Sequence, residues 1–187
     1  MHKARSDEDL MLGYRDGDAG AFETLYSRHK GALYRYILRQ CRSAAVAEEL
    51  FQDVWLNIIR ARERYEVKAK FATYLFHLAH NRLIDYYRRE GRGLPVSYTD
   101  SETMEEIPDG HLPSVEHQID LRRQAARLKV LIGELPEAQR EAFLLREETG
   151  LSVDEIAEVT GVNAETAKSR LRYAVAKLRH GLATEEN

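Results

Sequence analysis

The chain has 187 residues, 43% of them hydrophobic, which is enough for one packed domain or two small ones. No apolar run is long enough to cross a membrane, and the charged amino terminus MHKARSDEDL lacks the apolar centre of a signal peptide. A lone cysteine, Cys41, excludes an intramolecular disulfide and fits a reduced, cytoplasmic setting. Four prolines and few strand-like runs predict an all-α fold.

In chain order, Ser6 caps a short helix from Asp7 to Asp16, with Asp7, Glu8 and Asp9 in its first turn and Leu10, Met11 and Tyr14 on its apolar side. A second helix is expected from about Ala21 to Gln40, carrying Phe22, Leu25, Tyr26, Leu33 and Ile37 at helical spacing. Ser43 caps a third, about Ala44 to Arg62, with a core face of Ala47, Leu50, Phe51, Val54 and Ile58. Its other side is a mixed strip of Glu48, Gln52, Trp55, Leu56 and Ile59. Trp55 and Leu56 either widen the core contact or form a docking surface for another protein, since exposed apolar groups beside charges mark interfaces.

A basic turn leads into FATYLFHLAHNRLIDYYRR, Phe71 to Arg89. Tyr74, His77, Asn81, Ile84 and Arg88 share one side of this helix. Such a side suits single-stranded nucleic acid, with rings to stack on bases, Asn for a base edge and Arg for phosphate. The alternative is that the aromatics are core and the arginines merely solvated. Prolines 95, 108 and 113 then interrupt helix formation, and a polar connector with the composition of a flexible segment is expected. Helix resumes near Val115 to Asp120 and runs to Gly133, with Leu121, Ala125, Leu128, Leu131 and Ile132 on its apolar face. Pro136 opens the next helix and Gly150 closes it.

The carboxy-terminal stretch SVDEIAEVTGVNAETAKSRLRYAVAKLR has the plan of a helix-turn-helix. Ser152 and Glu155 form a capping box, Gly161 supplies the turn, and Asn163 caps the second helix. Ala167, Leu171, Ala174, Val175 and Leu178 bury one face of that helix, while Glu165, Lys168, Ser169, Arg172 and Tyr173 lie opposite. A solvated amphipathic hairpin is the plain alternative to DNA binding, but the cap, glycine and cap in this order favour a major-groove reader.

Charge is distributed unevenly. Arg62 to Arg92 carries eight basic residues against four acidic ones, and Asn163 to His180 carries five against one. Residues 93–120 between them hold seven acidic residues and no Lys or Arg. Two basic modules thus flank an acidic connector, which can screen them in the free chain. Enzymatic chemistry has no matching constellation. His77 and His80 are three apart, but no HExxH, cysteine cluster, phosphate loop or nucleophile elbow accompanies them. No metal and no cofactor is expected.

These motifs together resemble the extracytoplasmic-function group of sigma factors, over nearly the whole chain. AEELFQDVWLNIIRARERYE is similar to the segment of region two that binds core polymerase. FATYLFHLAHNRLIDYYRR carries the patterns F-x-T-[WY]-L and A-x-N-x-x-x-D of the promoter-melting, −10-reading segment. LPEAQREAF opens a stretch similar to region four, which reads the −35 element. The resemblance implies two helical domains, residues 1–92 and 121–187, joined by the acidic connector 93–120. It implies that Glu48, Glu49, Gln52, Asp53, Trp55 and Leu56 dock on the clamp helices of the largest subunit of bacterial core RNA polymerase. It places Lys68, Lys70, Phe71, Thr73, Tyr74, His77, Asn81 and Arg88 at the −10 element, with Tyr74 standing where the family usually has Trp. It places Glu165, Thr166, Lys168, Ser169, Arg172 and Tyr173 at the −35 element. It further implies promoter DNA as ligand, an anti-sigma factor as partner, and no enzymatic activity or membrane insertion. An ordinary helix-turn-helix regulator that is not a polymerase subunit is the alternative.

Overall fold

A computed structural model describes residues 5–91 and 117–183. Among the described residues there are eight α-helices and no strand: α1 (Asp7–Arg15), α2 (Ala19–Cys41), α3 (Ala44–Ala61), α4 (Phe71–Arg89), α5 (His117–Glu134), α6 (Glu137–Thr149), α7 (Val153–Thr160) and α8 (Ala164–Ala183). A 3₁₀ turn at Arg62–Arg64 follows α3. None of the helices is long and apolar enough to cross a membrane. The acidic stretch to residue 116 lies outside the described residues, so its expected screening of the basic modules does too.

Local chemistry sets the boundaries. Ser6 accepts from the Asp9 amide, Ser43 from Val46 and Asn163 from Thr166, each satisfying an otherwise orphaned helix N–H. Asp18 does the same for Ala21, so α2 starts two residues earlier than periodicity indicates. Pro136 is the cap residue of α6 rather than its first helical residue. The helix α4 has no side-chain cap of its own. Glu8 of α1 supplies one, accepting from the Phe71 amide at 2.7 Å. Asp7 meanwhile holds Arg28 and His29 of α2, both at 2.7 Å. Two neighbouring acids of α1 therefore tie the start of α4 to α2.

The first four helices close around Met11, Leu25, Ile37, Val54, Ile58 and Leu75. The last four close around Leu131, Leu145, Ile156, Val159, Ala174 and Leu178. Ala125, expected on the apolar face of α5, is exposed, and the side chain of Leu121 lies outside the described residues. Gly181 lets α8 approach α5 closely, since a Cβ there would sit 2.5 Å from a methyl of Leu131. The halves also touch: α2 packs on α6, and α4 packs on α7.

Candidate nucleic-acid interface

The turn between α7 and α8 is built as its sequence dictates. Ser152 accepts from the Glu155 amide while Glu155 accepts from the Ser152 amide. Gly161 takes the left-handed conformation, φ 68°, that ends α7. Ala167, Ala174 and Leu178 anchor α8 in the core, with Leu171 and Val175 half-buried. This rotation leaves Glu165, Lys168 and Arg172 exposed and Thr166, Ser169 and Tyr173 half-exposed beside them. The Arg172 guanidinium lies 5.3 Å from the Tyr173 ring centre. The six side chains thus form one accessible polar face on the second helix of a helix-turn-helix.

On α4 the expected site divides. Lys68 and Lys70 before the helix, and His77, Asn81 and Arg88 along it, are exposed. Tyr74 is half-buried, its ring 5.4 Å from that of Tyr65, and burial raises its pKa. Phe71 and Thr73 are 0% and 2% exposed. Both point into the core, Phe71 with Leu75, Ala79 and Leu83 of the apolar stripe of α4, and they seat the helix.

The exposed residues of α4 are not idle. Lys70 pairs with Glu155 of α7 at 2.7 Å. His77 Nδ1 lies 3.2 Å from the Val159 carbonyl, and Asn81 Nδ2 lies 3.2 Å from His77 Nε2. The two bonds are compatible with one tautomer, in which Nδ1 donates and Nε2 accepts. His80 Nδ1 contacts Glu141 of α6 at 2.7 Å. The histidine pair weighed as a metal motif thus serves contacts between the halves, and the described residues contain no metal-binding group of His, Cys, Asp or Glu.

Glu141 also accepts from the Tyr36 hydroxyl at 2.6 Å. Burial works against its ionisation, but the hydrogen bonds and the charge of His80 outweigh it and hold the carboxyl below its usual range. Burial likewise opposes protonation of His80, and Glu141 again prevails, raising the imidazole. Beside them Arg140, only 1% exposed, donates to Gln40 Oε1 at 2.8 Å. Glu141 and Arg140 escaped the sequence reading, since nothing in a periodic pattern marks an acid whose partners are 61 and 105 residues away.

On α3, Glu48, Glu49, Gln52 and Leu56 are exposed and Asp53 is half-exposed. Leu56 at 42% and Ile59 at 37% are two of the four large hydrophobic residues exposed among the described ones. Trp55 is not part of this surface. It is 4% exposed, with its ring centre 5.1 Å from that of Tyr26 and 5.8 Å from that of Phe22. Of the two readings of the strip, Trp55 follows the core and Leu56 the surface.

Comparison with known proteins gives this arrangement its family. The model of Sigma-70 region 2 matches residues 25–93, and that of Sigma-70, region 4 matches residues 125–178. The RNA polymerase sigma factor CarQ of Myxococcus xanthus is 32% identical over 187 residues, spanning 94% of this chain and 97% of that protein. The ECF RNA polymerase sigma factor RpoE of Cereibacter sphaeroides is 32% identical, spanning 93% of each. The sigma factor RpoE of Bartonella quintana, solved in complex with the anti-sigma factor NepR, shares the fold, with a TM-score of 0.63, 24% identity and coverage of 87% of this chain and 96% of that one. The chain belongs to the extracytoplasmic-function group of the sigma-70 family and is an RNA polymerase sigma factor that works with core polymerase and promoter DNA in transcription initiation. The reading as a regulator outside the polymerase is not favoured.

Proposed function

We propose a division of labour among three surfaces, with residues 1–92 and 121–187 acting as separate modules joined by the acidic connector 93–120. The exposed strip of α3, with Glu48, Glu49, Gln52 and Leu56 at its centre, docks on the clamp helices of the largest polymerase subunit. Desolvated apolar groups carry most of the energy of such interfaces, and the flanking acids set orientation. Trp55 supports the strip from beneath, and Asp53 lies at its edge.

The outer face of α8 reads the −35 duplex through Lys168, Ser169, Arg172 and Tyr173, with Glu165 and Thr166 at the helix start. The observation that carries this reading is the exposure of these residues together on the second helix of a capped helix-turn-helix. The exposed side of α4 takes the melted non-template strand. Tyr74 offers a stacking ring, Asn81 a base-edge donor and acceptor, and Lys68, Lys70, His77 and Arg88 polar and cationic contacts. Phe71 and Thr73 hold the helix that presents them.

Neither DNA surface suffices alone. A good base-edge contact is worth about 1–3 kcal/mol, and flipping a base costs a few kcal/mol. Polymerase fixes both modules at the promoter spacing, so the second contact forms at high effective concentration. The chain supplies recognition and strand capture, and it performs no enzymatic step. It acts in the cytoplasm, and an anti-sigma factor holds it in check; its structural relative from Bartonella quintana was solved in complex with one. Run-off transcription with purified core polymerase on genomic promoter fragments tests the assignment. New start sites should be lost on Asn81→Ala and on Lys168→Ala with Arg172→Ala.

A further inference from the structure

Helices are normally capped by Ser, Thr, Asp or Asn, yet the cap position of α4 holds Lys70, whose side chain cannot accept a hydrogen bond. The acceptor comes from α1 instead. Glu8 Oε1 accepts from the Phe71 amide at 2.7 Å. Glu8 is half-buried, whereas Lys68 and Lys70 are exposed. A capping acid at position 70 would set a negative charge among these surface cations, and an acceptor on α1 avoids it. Asp7, the neighbour of Glu8, is fixed in turn by Arg28 and His29 of α2. The ring of His29 lies 5.3 Å from that of Phe71. The other end of the segment also meets α1, for Arg15 Nη1 lies 3.4 Å from the Tyr65 carbonyl. Glu8 and Arg15 stand two turns apart, about 10 Å along one helix axis. Tyr65 and Phe71 are buried, while Glu66, Val67, Lys68 and Lys70 between them are exposed. Burial and then the charge of Glu8 push the Tyr65 hydroxyl up to about 12, and the Tyr65 ring lies 5.4 Å from that of Tyr74.

We propose that Glu8 is a positioning residue for strand capture: by capping α4 from α1 it fixes how the exposed segment 66–70 and Tyr74 stand toward the melted strand. The proposal rests on the reading of α4 as the single-strand surface. The first N–H groups of a helix have no partner within it, so an uncapped first turn frays. Tyr74 lies one turn into α4 and Lys70 immediately before it, so a frayed start leaves the two without a common frame. Holding them in one geometry before the strand arrives removes the cost of ordering them on binding. The hydrogen bond and the charge of Glu8 act in opposite directions. The bond organises the surface, whereas a negative charge near phosphate opposes binding. Substitution can therefore separate the two.

The test uses the full chain assembled with core polymerase, on a linear fragment carrying a start site found by run-off transcription. Permanganate reactivity followed in time at several holoenzyme concentrations separates the closed-complex binding constant from the rate of opening. Circular dichroism reports helix content. Glu8→Ala should slow opening about fivefold, the scale of one lost cap, and leave the binding constant unchanged. Glu8→Asp keeps the charge but withdraws the acceptor by one methylene, and it should slow opening as well. Glu8→Gln loses the charge but keeps an acceptor of the same reach, and it should open at least as fast as wild type. A general loss of structure would lower the binding constant too and would not be rescued by Gln. If Glu8→Ala loses its helices, Glu8→Asp decides the matter, since it keeps an acid in the first turn of α1. Equal slowing by Gln and Asp overturns the proposal, as does opening at the wild-type rate by both Ala and Asp. Tyr74→Ala and Asn81→Ala in the same assay test the underlying reading. If both open at the wild-type rate, the assignment of α4 fails and the positioning role with it. If they slow opening while Glu8→Asp does not, the positioning role alone fails.

Discussion

The two helices proposed to face DNA are presented differently. The outer face of α8 is open among the described residues, with Glu165, Lys168 and Arg172 exposed. The equivalent face of α4 is engaged, with Lys70 and His77 bonded to α7 and Asn81 bonded to His77. The difference fits the roles proposed for the two helices. A duplex keeps its bases stacked, so a groove reader can stand ready at no cost. A single-strand reader that stood ready would bind any melted nucleic acid, because stacking on aromatic rings is sequence-tolerant.

That comparison is open to attack by substitution. The largest effect should come from Lys168→Ala with Arg172→Ala. At about 1–3 kcal/mol per contact, duplex promoter affinity should fall at least about thirtyfold. Anisotropy should show the loss both for the free chain and for the polymerase complex. Next in size is Leu56→Arg, which places a charge in the proposed docking strip. Binding to core polymerase should weaken by about 2 kcal/mol or more, while free binding to duplex DNA stays unchanged. Asn81→Ala sharpens the contrast further. It should cost about 1–3 kcal/mol of promoter opening in the holoenzyme, read by permanganate footprinting, and should leave duplex binding by the free chain untouched.

The engaged face should also respond to pH. The contribution of His80 to the contact between the halves is full below its ordinary value of 6.5 and is lost as pH rises through its raised one. That of Glu141 is present above its ordinary value of 4.5 and is lost as pH falls through its depressed one. Around this pair stand Tyr36, whose ionisation burial and Glu141 push well above its usual range, and Arg170 of α8, whose charge opposes protonation of His80. That contact should therefore weaken from pH 6 toward pH 9, with a growing radius of gyration, whereas the exposed face of α8 should not change. The smallest effect belongs to Asn163→Ala. Loss of the cap on α8 costs about 1 kcal/mol and should lower Tm by about 2–4 °C.

Much of this was legible in the sequence because it is local. The capping box at Ser152, the turn at Gly161 and the cap at Asn163 act within a few residues, and they position α8 as expected. The outward turn of Lys168 and Arg172 follows from the spacing of Ala167, Ala174 and Leu178. What was lost is what depends on neighbours distant in sequence. Trp55 belongs to a pattern that is both apolar stripe and motif, and only the packing of Tyr26 and Phe22 on it decides its face. The cap that Glu8 places on α4 spans 63 residues. The contacts of Glu141 could not be anticipated from an amphipathic helix in which that acid looks like any solvated one.

Run-off transcription with core polymerase tests the central claim most directly. Added to core on a pool of promoter fragments, the wild-type chain should produce new, defined start sites that disappear with Asn81→Ala, with Leu56→Arg and with the Lys168, Arg172 double variant. Tight duplex binding without core, and no initiation with it, would contradict the account.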